Sequence, residues 1–378
     1  MEKVRFDDFI KLNRGFDLPD ACIEDGPYPV VASTNIKAYH KDYKIDGPAV
    51  TTGRSGSLGK VQYIEGRCWP LNTSLYVKDF KGNNPRYVYY FLQTMHLEQY
   101  NAGAGVPTLN QNHLHSLKLL VHEKNEQSRV ASILSAYDKL IENNNKRIRI
   151  LEKMAENLYK EWFVRFRFPG HENVPMENGL PKGWKYFKIE ELCYVNKCSV
   201  NIAKSQLNNM LYLDTGGIVC NKIVSMEEYD SIRDAPSRAR RVVVHNSILY
   251  STVRPNLRHY GILKNPPVNM VVSTGFTVLD SKYDFANIVY LSLSSSAVCR
   301  YFSMIADCAV ATYPSIKPNE IGKLSIVLPD FKIAIKMNKE IEHYFQMICD
   351  LQQQNRNLAR QRDLLLPRLM SGKLEVKP

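Results

Sequence analysis

One seam of regularly spaced residues constrains this chain more than anything else in it. From Asn125 to Pro169 the sequence carries neither Gly nor Pro until Pro169 and Gly170 close the run. Val130, Leu134, Tyr137, Ile141, Asn144, Ile148, Leu151, Ala155 and Leu158 recur along it at steps of four and three, the pattern of a coiled-coil seam. A helix of about 40 residues would be about 60 Å long at 1.5 Å per residue.

The seam is written twice. Met337, Ile341, Tyr344, Ile348, Leu351, Asn355, Leu358, Arg362 and Leu365 repeat the register 207 positions later, the separation of Pro107 and Pro314. The match begins ahead of the helix: Val106 to Leu109 falls on Tyr313 to Ile316, and Asn112, Leu114, Leu117, Leu119 and Val121 fall on Asn319, Ile321, Leu324, Ile326 and Leu328. Near the start of each copy the offset is nearer 183, so the second copy holds insertions. A repeat of this size decides architecture before any local assignment does.

The fold expected is α+β: two strand-rich domains, each followed by a long helix, the helices packing as an antiparallel coiled coil with pseudo-two-fold symmetry. The first domain covers 1–121, its helix 122–168, a Pro- and Gly-rich linker 169–181, the second domain 182–328, its helix 329–367 and a short tail 368–378. Strands are expected at Tyr28–Ser33, Ala49–Thr52, Lys60–Ile64, Ser74–Val77 and Leu117–Val121. In the second copy they fall at Met210–Asp214, Arg241–His245, Ile248–Thr252, Val271–Leu279 and Leu324–Leu328. The register follows from polarity. Pairing Asn144 with Asn355 satisfies both seam amides in one layer, and sets Ile141 on Leu358, Ile148 on Leu351, Leu151 on Ile348 and Ala155 against Tyr344.

Lys and Arg outnumber Asp and Glu by 50 to 38, a net charge of +12 with a pI near 9.1. With no run of twenty apolar residues to suggest a membrane, the excess points to a polyanion partner. No signal peptide is read at Met1-Glu2-Lys3, and eight cysteines without framework spacing suit reduced thiols in a cytoplasm. No metal is expected: Cys193 and Cys198 lack a completing pair, and His113, His115 and His122 fit alternation on a strand as well as ligation.

Gly53 to Lys60 looks at first like a phosphate loop, but five residues separate its glycine from Gly59-Lys60 and Val61 follows, so the glycines serve a tight turn. Arg54, Ser55, Ser57 and Lys60 on such a loop suit DNA phosphates or a guanine edge. Arg54 has a counterpart in Arg254, each two residues after a threonine, and Asn256 and Arg258 follow it. Arg238, Arg240 and Arg241 beside an apolar strand are further candidates; Lys37, Tyr39 and Lys317 are weaker ones. Asn265-Pro266-Pro267-Val268 has Val where an amino-methyltransferase loop needs an aromatic ring, and no cofactor turn accompanies it, so it is read as a turn. No catalytic constellation is found.

Leu180 to Trp184, Asn143-Asn144-Asn145 through Leu158 to Phe163, Leu364 to Leu374 and Gly56 to Val61 together resemble the DNA-specificity subunits of type I restriction-modification systems over essentially the whole chain. One departure is that the first copy opens at Met1 without the Pro-x-Gly-Trp sequence. The resemblance implies a non-catalytic subunit that reads a split, asymmetric site in double-stranded DNA. It also implies two methyltransferase subunits and restriction/translocase subunits as partners, which would hold S-adenosylmethionine, ATP and Mg; no cofactor is expected on this chain. Trp162, Phe163, Leu364 and Leu369 are the apolar helix positions expected to meet those partners. The competing readings are a coiled-coil adaptor with two basic binding domains, and a methyltransferase in its own right.

Overall fold

A computed structural model describes residues 1–200, 208–308 and 314–376. It divides into two compact units: Met1–Asn144 with Gln353–Pro378, and Asn145–Gln352. Both long helices therefore contribute to both units. Among the correspondences read from sequence, Tyr313 lies outside the described residues, as do the last two residues of the tail.

In the first unit an antiparallel sheet runs in the order Lys11–Arg14, Ser74–Asp79, Ala49–Gly53, Val61–Ile64. Every residue of Ala49–Gly53 is buried, as its place inside the sheet requires. Beside it lies a three-stranded sheet, Ile36–His40, Tyr28–Val31, Trp69–Pro70, whose last pair is parallel. Glu2–Arg5 pairs with Lys118–Val121 and closes the domain. Helix Pro85–Thr94 starts where the Asn84 side chain accepts from the amides of Arg86 and Tyr87 at 3.0 and 3.1 Å, with Pro85 at a position that needs no amide donor. Phe6, Phe9, Leu75, Tyr87 and Tyr90 form the core against this sheet. Val130, Ala131 and Leu134 of one long helix and Leu369 and Met370 of the other pack into the same core. Each such side chain contributes about 1.5–3 kcal/mol on burial.

The second unit repeats the plan. Its antiparallel sheet is ordered Cys193–Val195, Phe276–Ser281, Ile248–Ser251, Tyr260–Ile262, and its closing pair is Lys185–Lys188 with Ser325–Leu328. The companion sheet has grown to four strands, Glu227–Ser231, Asn208–Leu213, Met270–Ser273, Ala239–Val242, again with one parallel pair. Helices Ala286–Leu293 and Ser296–Cys308 take the place of Pro85–Thr94 and the single 3-10 turn Leu97–Tyr100. The strand expected over Val271–Leu279 is two strands in two sheets. The chain changes sheet at Thr274-Gly275, and a continuous apolar run cannot reveal such a break because both strands are buried on both faces.

The long helices are Lys124–Tyr159 and Phe331–Met370, and they pack antiparallel. In the first unit Asn144 Nδ2 donates to Asn355 Oδ1 at 3.0 Å, and Arg362 pairs with Asp138 at 2.5 Å. In the second unit Ile148 and Leu151 cluster with Ile348 and Leu351, with Tyr344 beside them, and Ala155 is buried near Ile341 and Phe345.

Both helix ends differ from expectation. Regular helix stops at Tyr159 and widens into a π turn at Lys160–Val164, which rolls Phe163 inward between Tyr159 and Trp184, with ring centroids at 5.3 and 5.6 Å. The second helix does not stop at Pro367. It runs one turn further to Met370, because Leu369 and Met370 are buried in the first core, which offsets the hydrogen bond that proline forgoes. Among the described residues no single helix is long and apolar enough to cross a membrane.

Candidate nucleic-acid interface

Arg54 opens the loop after the buried strand Ala49–Gly53. Its amide donates to the Thr73 carbonyl at 2.8 Å, its carbonyl accepts from the Leu109 amide at 2.8 Å, and its Nη1 reaches the Asn72 carbonyl at 3.3 Å. The loop folds back over the strand end. A Cβ on Gly53 would lie 1.9 Å from the Ser57 carbonyl oxygen, and Gly56 and Gly59 have φ of +82° and +84°. The Gly56 amide donates to Pro107, and Ser33 Oγ joins the companion sheet to the loop through the carbonyls of Ser55 (3.1 Å) and Thr73 (2.8 Å). Ser57 and Lys60 are exposed on the loop, and Arg54 and Ser55 are half-buried at its root.

The second unit builds the same corner from different residues. Thr252 donates to the Gly275 carbonyl through both its amide and its hydroxyl, at 2.9 Å each, and Ile316 donates to Thr252 at 2.9 Å. The Arg254 amide donates to the Pro314 carbonyl at 2.9 Å, as Gly56 does to Pro107. The Thr274 amide donates to the Arg238 carbonyl at 2.9 Å, which brings the arginine-rich segment to the same end of the domain. Arg238, Arg254, Asn256, Arg258 and Lys317 are exposed there.

Some candidates are tied up by the protein. Arg240 Nε donates to the Ser237 carbonyl at 2.9 Å, and Arg241 Nη1 to Ser199 Oγ at 3.1 Å. Burial lowers the Arg241 pKa, and its buried Nε finds no acceptor among the described residues. Lys37 pairs with Asp20, and Tyr39 is exposed on the strand Ile36–His40. The Lys317 amide is held by Glu320 at 2.7 Å, so only its side chain is offered.

Two of the four positions expected to face partners are internal. Phe163 and Leu369 are 5% and 1% exposed, each spent on the core of its own unit. Trp162 packs half-buried on the second core, whereas Leu364 is 62% exposed. The histidines also sit differently from expectation: His113 and His115 lie on the short helix Gln111–His115, not on a strand. His115 Nε2 accepts from the Leu12 amide at 3.1 Å, and His122 is hydrogen-bonded to the Tyr87 hydroxyl at 2.9 Å. No metal-ligating cluster occurs among the described residues. Asn265–Val268 is a turn, closed by the Met270 amide on the Pro267 carbonyl.

Residues contributing most to these corners without being singled out from sequence are Ser33, Thr73 and Gly275. No local signal marked them: Ser33 ends and Gly275 interrupts an expected strand, and Thr73 directly precedes one.

Residues 1–153 match the family model described as the type I restriction modification DNA specificity domain. A specificity subunit of the type I restriction enzyme MjaIX from Methanocaldococcus jannaschii is 26% identical, over 77% of this chain and 69% of that protein. Residues 1–153 thus carry a type I specificity domain, and the chain as a whole is similar to type I specificity subunits. A second family member, the MjaVIII specificity subunit of the same organism, is 22% identical over 100% of this chain and 93% of its own length. The crystal structure of a type I S subunit from M. genitalium shares the fold, with a TM-score of 0.64 at 16% identity, covering 100% of this chain and 96% of that one.

Proposed function

We propose that this chain is a specificity subunit that reads a split, asymmetric site in double-stranded DNA, one half with each strand-rich domain. It thereby directs adenine methylation and ATP-dependent cleavage carried out by partner subunits. The observation that carries the reading is the duplicated corner. Arg54 and Arg254 leave equivalent buried strands of equivalent sheets, and each corner is pinned to the loop before the closing helix, at Pro107 or Pro314. Two such corners on a chain of net charge +12 suit two contacts with one polyanion. Their side chains differ, Ser55, Ser57 and Lys60 against Asn256, Leu257 and Arg258, so the two halves of the site would differ in sequence.

The paired helices would set the unread spacer between the halves, since successive turns of the groove lie about 34 Å apart. Repetition of one plan implies two equivalent docking surfaces for methyltransferase subunits. The chain's own residues supply recognition. S-adenosylmethionine, ATP and Mg would belong to the partners, and a cytoplasmic location goes with them.

The test is the map of modified bases in genomic DNA from a host with and without this chain. A split adenine-methylated motif that disappears on deletion supports the reading. An unchanged map sinks it.

A further inference from the structure

The segment Arg254 to Arg258 at the second corner is held by several backbone hydrogen bonds. Arg254 and Arg258 both adopt left-handed backbone conformations, with φ of +47° and +56°, on either side of the 3-10 turn Pro255–Leu257. Each such residue costs about 1–2 kcal/mol, so surrounding contacts must hold it there. They do so through the backbone. The Leu257 amide donates to the Arg254 carbonyl at 2.9 Å, the Arg258 amide to the Pro255 carbonyl at 3.0 Å, and the Cys220 amide to the Arg258 carbonyl at 3.0 Å. Pro255 is buried as an anchor, and the turn packs against helix Ser296–Cys308.

The side chains on this turn divide by what they face. Arg258 lines a cleft of about 640 Å³ together with Glu152 and Tyr260. Asn256, at the crest, is exposed, and its carboxamide makes no hydrogen bond to any described residue. Leu257 beside it is 46% exposed. A strained turn held by its backbone thus presents an exposed amide, its donor and acceptor open to solvent or a ligand, next to an apolar side chain. It is preorganised for a ligand edge that presents an acceptor beside a donor. In the major groove that edge is adenine, N7 beside N6, and the methyl of a thymine supplies an apolar neighbour.

Resting on the reading that the chain recognises DNA, we propose that Asn256 specifies one adenine in the half-site read by the second domain, its carboxamide bidentate on N6 and N7. Leu257 lies against the apolar surface next to it. The first corner has Ser and Lys in its loop and no equivalent amide, so this contact belongs to one half of the site alone.

The experiment expresses the full chain with its methyltransferase partner and maps methylated motifs for the wild type, Asn256→Ala and Asn256→Asp. Binding is measured in parallel on duplexes substituted at each position of the motif. Asn256→Ala is expected to lose tenfold or more of the discrimination at a single A·T pair in one half, leaving the other half untouched. Asn256→Asp is expected to move the preference at that same position toward cytosine, whose N4 donates to a carboxylate. An unchanged motif in both variants, or equal weakening at every position, overturns the assignment of Asn256 while leaving the split-site reading in place. A wild-type chain that yields no split motif overturns both. Thermal melts of the variants should match the wild type, because the side chain holds nothing in the protein.

Discussion

Asn144 donates a 3.0 Å hydrogen bond from its carboxamide to the carboxamide oxygen of Asn355, across the two long helices. Asn144 is 7% exposed, so its amide would lack water if the partner moved. A polar pair flanked by apolar seam layers fixes register, because sliding either helix by one turn would leave an amide against leucine or isoleucine. Asn144→Ala should cost about 1–2 kcal/mol, by removing a satisfied buried amide and leaving its space empty. Replacing both residues with Leu should restore most of that loss, because neither amide then remains to be satisfied. Guanidinium denaturation of the wild type and the two variants checks this; equal losses in the single and double variants would show that the pair contributes nothing as a pair. Cysteines introduced at 144 and 355 should also close a disulfide.

Asp138 is shared between two groups. The Tyr90 hydroxyl donates to Oδ2, and Arg362 Nη1 donates to Oδ1 at 2.5 Å. Tyr90 is 1% exposed, while the side chains of Asp138 and Arg362 are 20% and 26% exposed. Partial exposure reduces the penalty expected for breaking a fully buried pair. Arg362→Ala should therefore cost about 1 kcal/mol, since Tyr90 keeps its acceptor and Arg362 is also satisfied by Asp363. Asp138→Ala should cost about 2–3 kcal/mol, because it strands the buried Tyr90 hydroxyl and removes one of the two carboxylates paired with Arg362. A double-mutant cycle at 138 and 362 should return a coupling of about 1 kcal/mol. The reverse order of the single losses would contradict the sharing described.

The long helices and their register were legible because the information is local. A spacing of three and four needs only neighbours, and Asn144 and Asn355 are the only amides among the seam positions, one in each helix. The sheet change at Thr274-Gly275 was not legible, since an apolar run reads the same whether it stays in one sheet or crosses to another. Phe163 and Leu369 read as surplus apolar surface because helical spacing does not report a π turn after Tyr159 or a helix that continues through Pro367. At the corners, Arg54 and Arg254 were visible from their shared distance to a threonine. The groups that pin them, Thr73, Ser33, Gly275 and Pro314, are brought in from up to 60 residues away, and no short pattern marks them.

Lys264 and Glu342 form the second unit's buried ion pair at 2.9 Å, with Asn287 and Asn246 also bonded to the cluster. Burial would raise the Glu342 pKa, but hydrogen bonds from Asn287 and Lys264 outweigh it and hold the carboxyl below its ordinary value of 4.5. Burial pulls Lys264 below its ordinary 10.5, by more than Glu342 raises it. The two signs act at opposite ends of the pH range. As pH falls, the unfolded Glu342 takes up its proton first, so the stability it contributes is lost between the ordinary value and the lower folded one. As pH rises toward 10.5, the folded Lys264 loses its proton first, so its contribution grows there. At neutral pH the Glu342 carboxyl, held below 4.5, is charged, and Glu342→Gln should cost about 2 kcal/mol, a figure reduced from the fully buried case because the Glu342 side chain is 30% exposed. That cost should shrink steadily in thermal melts taken below the ordinary carboxylate range. A difference between wild type and variant that is flat across acid pH would show that Glu342 titrates alike in both states.

Arg54 and Arg254 give the sharpest division of labour, because each belongs to one unit and one corner. If each reads a base edge, Arg54→Ala should relax the sequence requirement in one half of the site and Arg254→Ala in the other, with discrimination at one position falling by about 1–3 kcal/mol. If either instead holds a phosphate, its loss should weaken binding to all duplexes alike and lower the dependence of log affinity on log salt by about one ion. Affinity for duplexes altered in one half at a time, measured at two salt concentrations with the methyltransferase partner present, separates the cases. Relaxation of the same half by both variants would mean that the two corners do not read separate halves. The duplicated geometry would then not divide the site between the two domains.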